Sequence, residues 1–207
     1  MKSPAAMQGV HFARYCGVLL TAFALTLGPA TLRAEDMPGP RERLERAVSV
    51  VVVLLEDKSL DPEARWQSIA AIVFDRFDFQ TMARSVMAGA WNEVGIEQRL
   101  DFVEYFARYV VKVYRARIEG RSAERVEYVA ERIEGDRASV ETVIVAGEVE
   151  IPVTYRLARR ADDWRVYDVL VEGVSLVASY RDRFADALGR GDVGTVIEQL
   201  KAGERRR

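Results

Sequence analysis

The spacing of apolar residues changes twice along this chain. Between residues 41 and 118 they recur at helical intervals, from 125 to 171 they alternate with other residues, and after Gly173 the helical interval returns. Residues three or four apart share a helix face, whereas alternate residues share a strand face. The predicted helices cover residues 41–57, 61–74, 79–90, 96–118, 175–189 and 193–201, and the predicted strands cover 125–133, 138–145, 148–157 and 164–171.

Short turns separate the four predicted strands, at 134–136, 146–147 and 161–163. Strands joined by so few residues pair as antiparallel neighbours. We therefore expect an α+β fold, in which N-terminal helices precede a curled antiparallel sheet of about four strands and C-terminal helices follow it. Pro152 cannot donate a hydrogen bond within a sheet, so we expect it at an edge or a bulge.

The segment 48–55 allows two predictions. It is almost wholly apolar and rich in valine, which is typical of a buried strand. The charged segment 41–46 (RERLER) that precedes it favours a helix, so we predict a helix here and keep the buried strand as the alternative.

The stretch from Trp164 to Phe184 passes from a strand to a helix across a single glycine, Gly173. Two sets of residues alternate in the strand, and we expect them on opposite faces, both largely buried. The first set is Trp164, Val166, Asp168 and Leu170, and the second is Arg165, Tyr167, Val169 and Val171. Ser175 is the expected N-cap of the following helix.

The first 34 residues have the organisation of a signal peptide for export. Lys2 and Arg14 precede an apolar run at 15–27, and Ala34 ends a suitable cleavage sequence. The apolar run is shorter than a transmembrane helix needs. We expect a single mature domain from residue 35 to 207 that ends in a short disordered GERRR tail.

Removal of this segment would limit the available chemistry. His11 and Cys16 are the single histidine and cysteine of the sequence, and both lie in the predicted signal peptide. The mature chain would then have no disulfide, thiol nucleophile, imidazole base or Cys/His metal site. Its net charge would be about −5, because the segment contains three basic residues and no acidic one. An acidic chain is poorly suited to nucleic acids, which are bound through phosphate neutralisation.

Asp168 and Glu172 are the strongest candidates for an acid–base pair, because two carboxylates in a cleft can share catalytic roles. In the structural alternative, Asp168 accepts local hydrogen bonds and Glu172 ends the strand. The absence of a nearby nucleophile in the sequence favours the structural role. Arg84 presents a similar choice between a buried ion pair and contact with a lipid head group, and the ion pair is favoured.

The predicted helix at 96–118 has a broad aromatic and aliphatic stripe that includes Phe102, Phe106 and Val110. In most proteins such a stripe packs into a filled core, but it can also line an apolar ligand pocket. Periodicity does not distinguish a filled core from a hollow one, so both interpretations remain open at this point.

Three groups of residues follow one another along the mature chain. They are Phe77-Asp78-Phe79 with Met82-Ala83-Arg84, Gly89 and Trp91; Gln98-Arg99 with Phe102, Phe106 and Tyr114; and Trp164, Tyr167-Asp168-Val169, residues 172–176, Tyr180-Arg181 and Phe184. In order and spacing they resemble the MlaC family of periplasmic lipid-binding proteins, which are auxiliary components of ABC transporters associated with toluene tolerance.

The resemblance implies a non-enzymatic periplasmic carrier without a cofactor, which encloses the acyl chains of a phospholipid in an apolar pocket. It also implies two partners: an inner-membrane ABC transporter with its periplasmic lipid-binding subunit, and an outer-membrane lipoprotein–porin complex. On this basis we expect ten residues to line the pocket. They are Phe102, Phe106, Val110, Val113, Tyr114, Val153, Tyr155, Val169, Val174 and Val177.

Three alternatives remain, and one of them is an adaptor that binds a transporter subunit and no lipid. A related branch of the family is associated with hopanoids, so a polycyclic lipid is the alternative cargo. The alternative function is a periplasmic α+β enzyme that uses Asp168 and Glu172.

Overall fold

The computed structural model describes residues 37–118, 125–161 and 163–205, and the predicted signal peptide lies outside these ranges. In the described residues, helices precede a five-stranded antiparallel sheet and two further helices follow it, so the α+β prediction is confirmed. No helix in these ranges is both long and apolar enough to cross a membrane. The helices are α1 (Pro40–Glu56), α2 (Pro62–Arg76), α3 (Phe79–Met87), α4 (Ala90–Glu93), α5 (Ile96–Ile118), α6 (Leu176–Gly189) and α7 (Val193–Arg205); the strands are β1 (Arg125–Glu134), β2 (Arg137–Ala146), β3 (Val149–Arg160), β4 (Asp163–Val171) and β5 (Val174–Ser175).

Helix α1 contains the valine-rich segment, so the helical prediction for it is confirmed. Its N-cap residue, Gly39, has no side chain, and Glu131 of β1 supplies an acceptor instead: the backbone N–H of Arg41 donates to Glu131 Oε1 at 2.8 Å. The Arg43 guanidinium also lies 3.0 Å from the carboxylate of Asp163 in β4. These contacts attach the N-terminal part of α1 to two strands of the sheet.

The strands follow the order β1-β2-β3-β4-β5, which makes β3 a central strand. The prediction that Pro152 marks an edge or a bulge was therefore wrong for the strand as a whole. The proline is tolerated because the β3–β4 ladder starts only at the next residue, Val153. The Pro152 carbonyl accepts from the backbone N–H of Glu172 at 2.9 Å. The proline nitrogen is on the same side of β3 as this carbonyl, beyond the end of the β3–β4 ladder, so the N–H that proline lacks is not needed there.

A β-bulge in β4 changes which side chains face each side of the sheet. Asp168 pairs with Arg156, and Val166 pairs with Leu157. Tyr167 is therefore an extra residue without a partner in β3. Val166 and Val169 consequently lie on the same face, and Asp168 lies on the other. The predicted alternation was therefore wrong beyond Val166, because the bulge adds one residue to the spacing.

Two short segments cover the outer edge of β4. Phe77 forms a parallel bridge with Val166, and the N–H of Asp78 donates to the Val166 carbonyl at 2.8 Å. Strand β5, which the sequence did not predict, pairs with the end of β4 through a two-residue turn. The turn residues Glu172 and Gly173 have φ values of 50° and 82°, which is typical of a type I′ hairpin turn.

Helix α7 runs to Arg205, and so includes residues that were expected in a disordered tail. The Lys112 ammonium of α5 donates to the carbonyl of Gly203 at 3.2 Å and to that of Glu204. Gly203 also allows the two helices to approach closely, since a methyl group there would lie 2.7 Å from Cδ2 of Tyr109 and closer still to Cε2.

Candidate functional site

One face of the sheet, called the inner face below, is largely apolar. In the observed register Val140 lies opposite Tyr155, and Tyr155 lies opposite Val169. Helix α1 packs on this face through Leu44 and Val48. The buried apolar residues of the inner face are Ala138, Val140, Val153, Leu157, Trp164, Val166 and Val169.

A second group of buried apolar residues lies among helices α2 to α7. Phe102 and Phe106 are fully buried there, with ring centroids 5.9 Å apart, and Tyr180 of α6 meets the Phe106 ring edge-on at 5.3 Å. Val110 and Val177 are buried in the same group. This part of the α5 stripe therefore packs as a filled core.

Apolar residues that are only partly buried border both groups. Phe77 packs against both of them, while α1 contributes Val48 to the sheet group and Val51 to the helical group. They are neither fully buried nor fully exposed, as side chains that line a pocket or a groove are. Those packed on the sheet group are Val48, Phe77, Tyr128, Ile144, Ile151, Tyr155 and Val171, and those on the helical group include Val51, Leu54, Leu55, Val73 and Tyr114. The space that they border is the candidate site.

Tyr155 lies deep beside this site. Burial raises the pKa of its hydroxyl to about 12, so the side chain lies deep in the protein, yet it keeps accessible surface. A side chain that is both deep and accessible is typical of one that lines a pocket or a groove. Burial also raises the pKa of Tyr128, and the nearby Tyr155 and Glu45 raise it further. Two phenol groups thus provide polarity in surroundings that are otherwise apolar.

The structure does not bring all ten predicted lining residues together. Four are in the filled helical core (Phe102, Phe106, Val110 and Val177), three lie on the inner face (Val153, Tyr155 and Val169), two are half-buried on α5 (Val113 and Tyr114), and Val174 is 63% exposed beside the β4–β5 turn. That they line a ligand pocket stays a prediction. Sequence reasoning missed Tyr128 and Ile144, although the alternation in β1 and β2 contained the signal.

Asp168 is buried, and each of its carboxylate oxygens accepts two hydrogen bonds. Oδ1 accepts from the backbone N–H groups of Val169 at 3.0 Å and Val177 at 3.1 Å. Oδ2 accepts from the Ser175 hydroxyl at 2.8 Å and the Arg156 guanidinium at 3.4 Å. The carboxylate therefore joins β4 to β5 and to the first turn of α6.

The predicted N-cap is confirmed, because Ser175 Oγ accepts from the backbone N–H of Ala178 at 3.0 Å. Glu172 is exposed in the hairpin turn. An acid–base catalyst must exchange protons with a substrate, whereas the oxygens of Asp168 are occupied by four protein donors. This arrangement fits the structural role of Asp168.

A second carboxylate joins α3 to the sheet. Asp78 accepts from the backbone N–H and the hydroxyl of Thr81, at 2.9 and 2.6 Å, and from Nε of Arg160 at 2.8 Å. Burial alone would raise the pKa of Asp78, but the hydrogen bonds from Thr81 and Arg160 outweigh it and hold the pKa below its usual value. The ionised carboxylate therefore cross-links the start of α3 and the end of β3.

Comparison with known proteins shows what this arrangement is similar to. The model of the family described as MlaC protein matches residues 45–202. The toluene tolerance protein ttg2D of Pseudomonas putida is 27% identical over 176 residues, which is 84% of this chain and 80% of that protein. The structure of a phospholipid-binding protein from Ralstonia solanacearum, solved in complex with a phospholipid, matches with a TM-score of 0.69 at 23% identity, over 78% of this chain and 94% of that one. At this identity the structural match concerns the fold.

Proposed function

The chain belongs to the MlaC family, and from this premise we propose that it is a carrier that binds phospholipid and transports it. In this proposal the acyl chains occupy the space between the inner face of the sheet and the helices. The family match begins within α1 and ends within α7, so it includes all the elements that border this space.

The observation that carries the proposal is the set of partly accessible apolar side chains between two separate groups of buried residues. Tyr155 supports it most directly, because it is deep enough for burial to raise its pKa to about 12 and still keeps accessible surface. An apolar space with a few placed polar groups is typical of a small-molecule site.

The energetics of acyl chains require such an enclosure. Each methylene group transferred from water to an apolar environment contributes about 0.8 kcal/mol, so a chain of about fifteen methylenes gains roughly 12 kcal/mol when enclosed. A surface groove would recover part of this free energy, whereas a space bordered on one side by the sheet and on the other by helices can recover most of it. The inner face is apolar enough for this role.

Polar groups near the start of α1 suggest where the head group lies. The Arg41 guanidinium is 5.5 Å from the centroid of the Tyr128 ring and forms an ion pair with Glu45 at 2.7 Å. Both charged side chains are about 40% exposed, at 44% and 38%. We expect the lipid head group to lie here, where it can stay hydrated while the chains extend beneath α1.

The finer parts of the proposal concern location and partners. The predicted signal peptide supports a periplasmic carrier. We propose, as the resemblance to the family implies, that the chain transports lipid between an outer-membrane lipoprotein–porin complex and an inner-membrane ABC transporter with its lipid-binding subunit. A hopanoid is the alternative cargo, and identification of the bound lipid by mass spectrometry distinguishes it from a phospholipid.

Two adjacent residues of β2 provide a matched test. Ile144 lies on the inner face and borders the proposed site, whereas its neighbour Val143 lies on the opposite face. Ile144→Trp should fill part of the space and reduce the lipid found by native mass spectrometry and solvent extraction, while Val143→Trp should keep it. Circular dichroism establishes that both variants are folded.

Several results would contradict the proposal. Mature protein that carries no lipid and takes none up from vesicles is not a lipid carrier. If folded Ile144→Trp protein carries as much lipid as the wild type, or if both variants lose lipid equally, the inner face is not the binding surface.

A further inference from the structure

A second pocket, separate from the proposed lipid site, lies between α3, α4 and the first turns of α5. Its volume is about 350 Å³, and Arg84, Trp91, Arg99 and Leu100 are among the residues that line it. Phe102 of the same helix is fully buried in the helical core. Nothing in the proposed carrier function uses this pocket.

The pocket contains two arginines that have no anionic partner. Among the described residues, neither Arg84 nor Arg99 forms an ion pair, in contrast to Arg43 and Arg76, which share the carboxylate of Asp163. The Nε atom of Arg99 is hidden from solvent and has no hydrogen-bond acceptor. The role that the sequence favoured for Arg84, a buried ion pair, was wrong, because this residue is exposed and forms no ion pair in the described part of the chain.

Trp91 holds the Arg99 guanidinium in place, since the guanidinium carbon lies 5.5 Å from the centroid of the tryptophan ring. A cation over an aromatic face is attracted to it and keeps its N–H groups free to bind an anion. An unsatisfied buried donor is costly to maintain, which makes Arg99 Nε a group in need of an acceptor.

The rim of the pocket is apolar and exposed. Ile96 is 66% exposed and Leu100 is 61% exposed, and they lie one turn apart on α5 beside the two arginines. Large aliphatic side chains next to unpaired cations favour a ligand that is both anionic and apolar. The pocket also lies at the N-terminal end of α5, where the helix dipole stabilises negative charge.

We propose that this pocket binds a phosphate group that carries an apolar substituent. A carboxylate has two oxygens and is satisfied by one arginine, whereas a phosphate offers additional oxygens that allow Arg84 and Arg99 to bind it together. The substituent would lie against Ile96 and Leu100. Both a lipid head group and a free organic phosphate contain this chemistry.

The test uses mature protein as purified, so that any resident lipid keeps the main site occupied. Butyl phosphate, inorganic phosphate and glycerophosphoglycerol, a head group without acyl chains, are titrated separately. Binding is followed by NMR through the ¹⁵N-labelled indole N–H of Trp91, assigned by comparison with Trp91→Phe. We expect butyl phosphate to shift this signal saturably and to bind several-fold more tightly than inorganic phosphate. Glycerophosphoglycerol that binds more tightly than inorganic phosphate, though less tightly than butyl phosphate, would identify the lipid head group as the source, and binding no tighter than inorganic phosphate would identify a free organic phosphate.

Variants then locate the site. Arg84→Gln and Arg99→Gln should each weaken butyl phosphate at least about tenfold, because each removes charge-assisted hydrogen bonds. Arg132→Gln, at an exposed position of β1, is the matched control and should change nothing. A double change of Ile96 and Leu100 to serine should weaken butyl phosphate but not inorganic phosphate.

The proposal is overturned if the Trp91 signal does not move, or if Arg84→Gln binds like Arg132→Gln. It is also overturned if inorganic phosphate binds as tightly as butyl phosphate, since the apolar rim then contributes nothing. Displacement of resident lipid by butyl phosphate would show that the anion enters the main site instead. These outcomes leave the carrier proposal untouched, because that proposal is tested by lipid content.

Discussion

Replacement of Asp168 by alanine tests the structural role assigned to this carboxylate. The change removes four hydrogen bonds at the junction of β4, β5 and α6. Two of the donors that lose their acceptor are the Ser175 hydroxyl and the backbone N–H of Val177, both at the start of α6. The N-terminus of that helix would then depend on Ser175 alone for its cap.

The size of the effect follows from burial. Asp168 is only 4% exposed, so water does not readily replace it as an acceptor. Each buried donor left without a partner costs roughly 1–3 kcal/mol, whereas the Arg156 ion pair contributes little because its side chain is 46% exposed. We expect Asp168→Ala to lower the free energy of unfolding by about 3–5 kcal/mol, or the Tm by about 6–20 °C for a domain of this size. Asp168→Asn keeps the Oδ1 acceptor and should lose about half as much.

Urea denaturation of the mature protein, followed by circular dichroism, measures these differences. The matched control is Asp182→Ala, which removes an exposed carboxylate from the same helix and should change stability by less than about 0.5 kcal/mol. Ser175→Ala combined with Asp168→Ala should cost less than the two single changes added together, because both remove the same contact.

A different result would refute this reasoning. If Asp168→Ala is as stable as Asp182→Ala, the hydrogen bonds at Asp168 do not stabilise the fold. If Asp168→Asn keeps wild-type stability but abolishes turnover of some substrate, the enzyme alternative would replace the carrier proposal.

Four further predictions test other parts of the structure. Gly203→Ala should destabilise the protein by about 1–3 kcal/mol in thermal denaturation, because the added methyl group clashes with α5. The control is Gly194→Ala in the same helix, where the added carbon lies 3.9 Å from its nearest neighbour, and this change should be neutral or stabilising. Glu172→Asn places the favoured Asn-Gly pair in the type I′ turn and should raise stability by roughly 0.5–1 kcal/mol, and an unchanged Tm would contradict that turn assignment. The lowered pKa of Asp78 means that its contribution to stability is present above pH 3.8 and is lost as the pH falls through the folded-state pKa. Urea denaturation between pH 2 and 6 should therefore show a steeper acid loss in the wild type than in Asp78→Asn. Tyr155 should ionise only near pH 12 in an absorbance titration at 295 nm. The stability that its neutral form contributes below pH 10 should be lost between pH 10 and 12. A tyrosine signal that titrates entirely near pH 10 would show that this side chain is not deep in the protein.

Much of the secondary structure could be predicted because its causes are local. The span of α5 at 96–118 and the cap at Ser175 are confirmed as predicted. Helical and strand periodicities depend on residues within a few positions of each other, and a side-chain cap acts over two or three residues. The order and spacing of the motif residues likewise identified the family without a structure.

The faces and edges of the sheet could not be predicted in the same way. The extra residue at Tyr167 moves Asp168 from the inner face to the opposite one, and strand β5 adds an edge that the sequence did not indicate. The bulge depends on which backbone groups of β3 and β4 pair with each other, and β5 depends on pairing with β4 across the turn at Glu172 and Gly173. The spacing of apolar residues in the sequence does not predict such a shift of register.

The candidate site shows the same division most clearly. The sequence by itself determined that α5 and β3 each have an apolar face, and that this face points towards the interior, because burial of apolar side chains is favourable. Only the tertiary structure decided that Phe102 and Phe106 fill a core while Tyr155 keeps accessible surface. The same apolar residues satisfy either arrangement, and the difference arises from how closely helices and sheet approach each other.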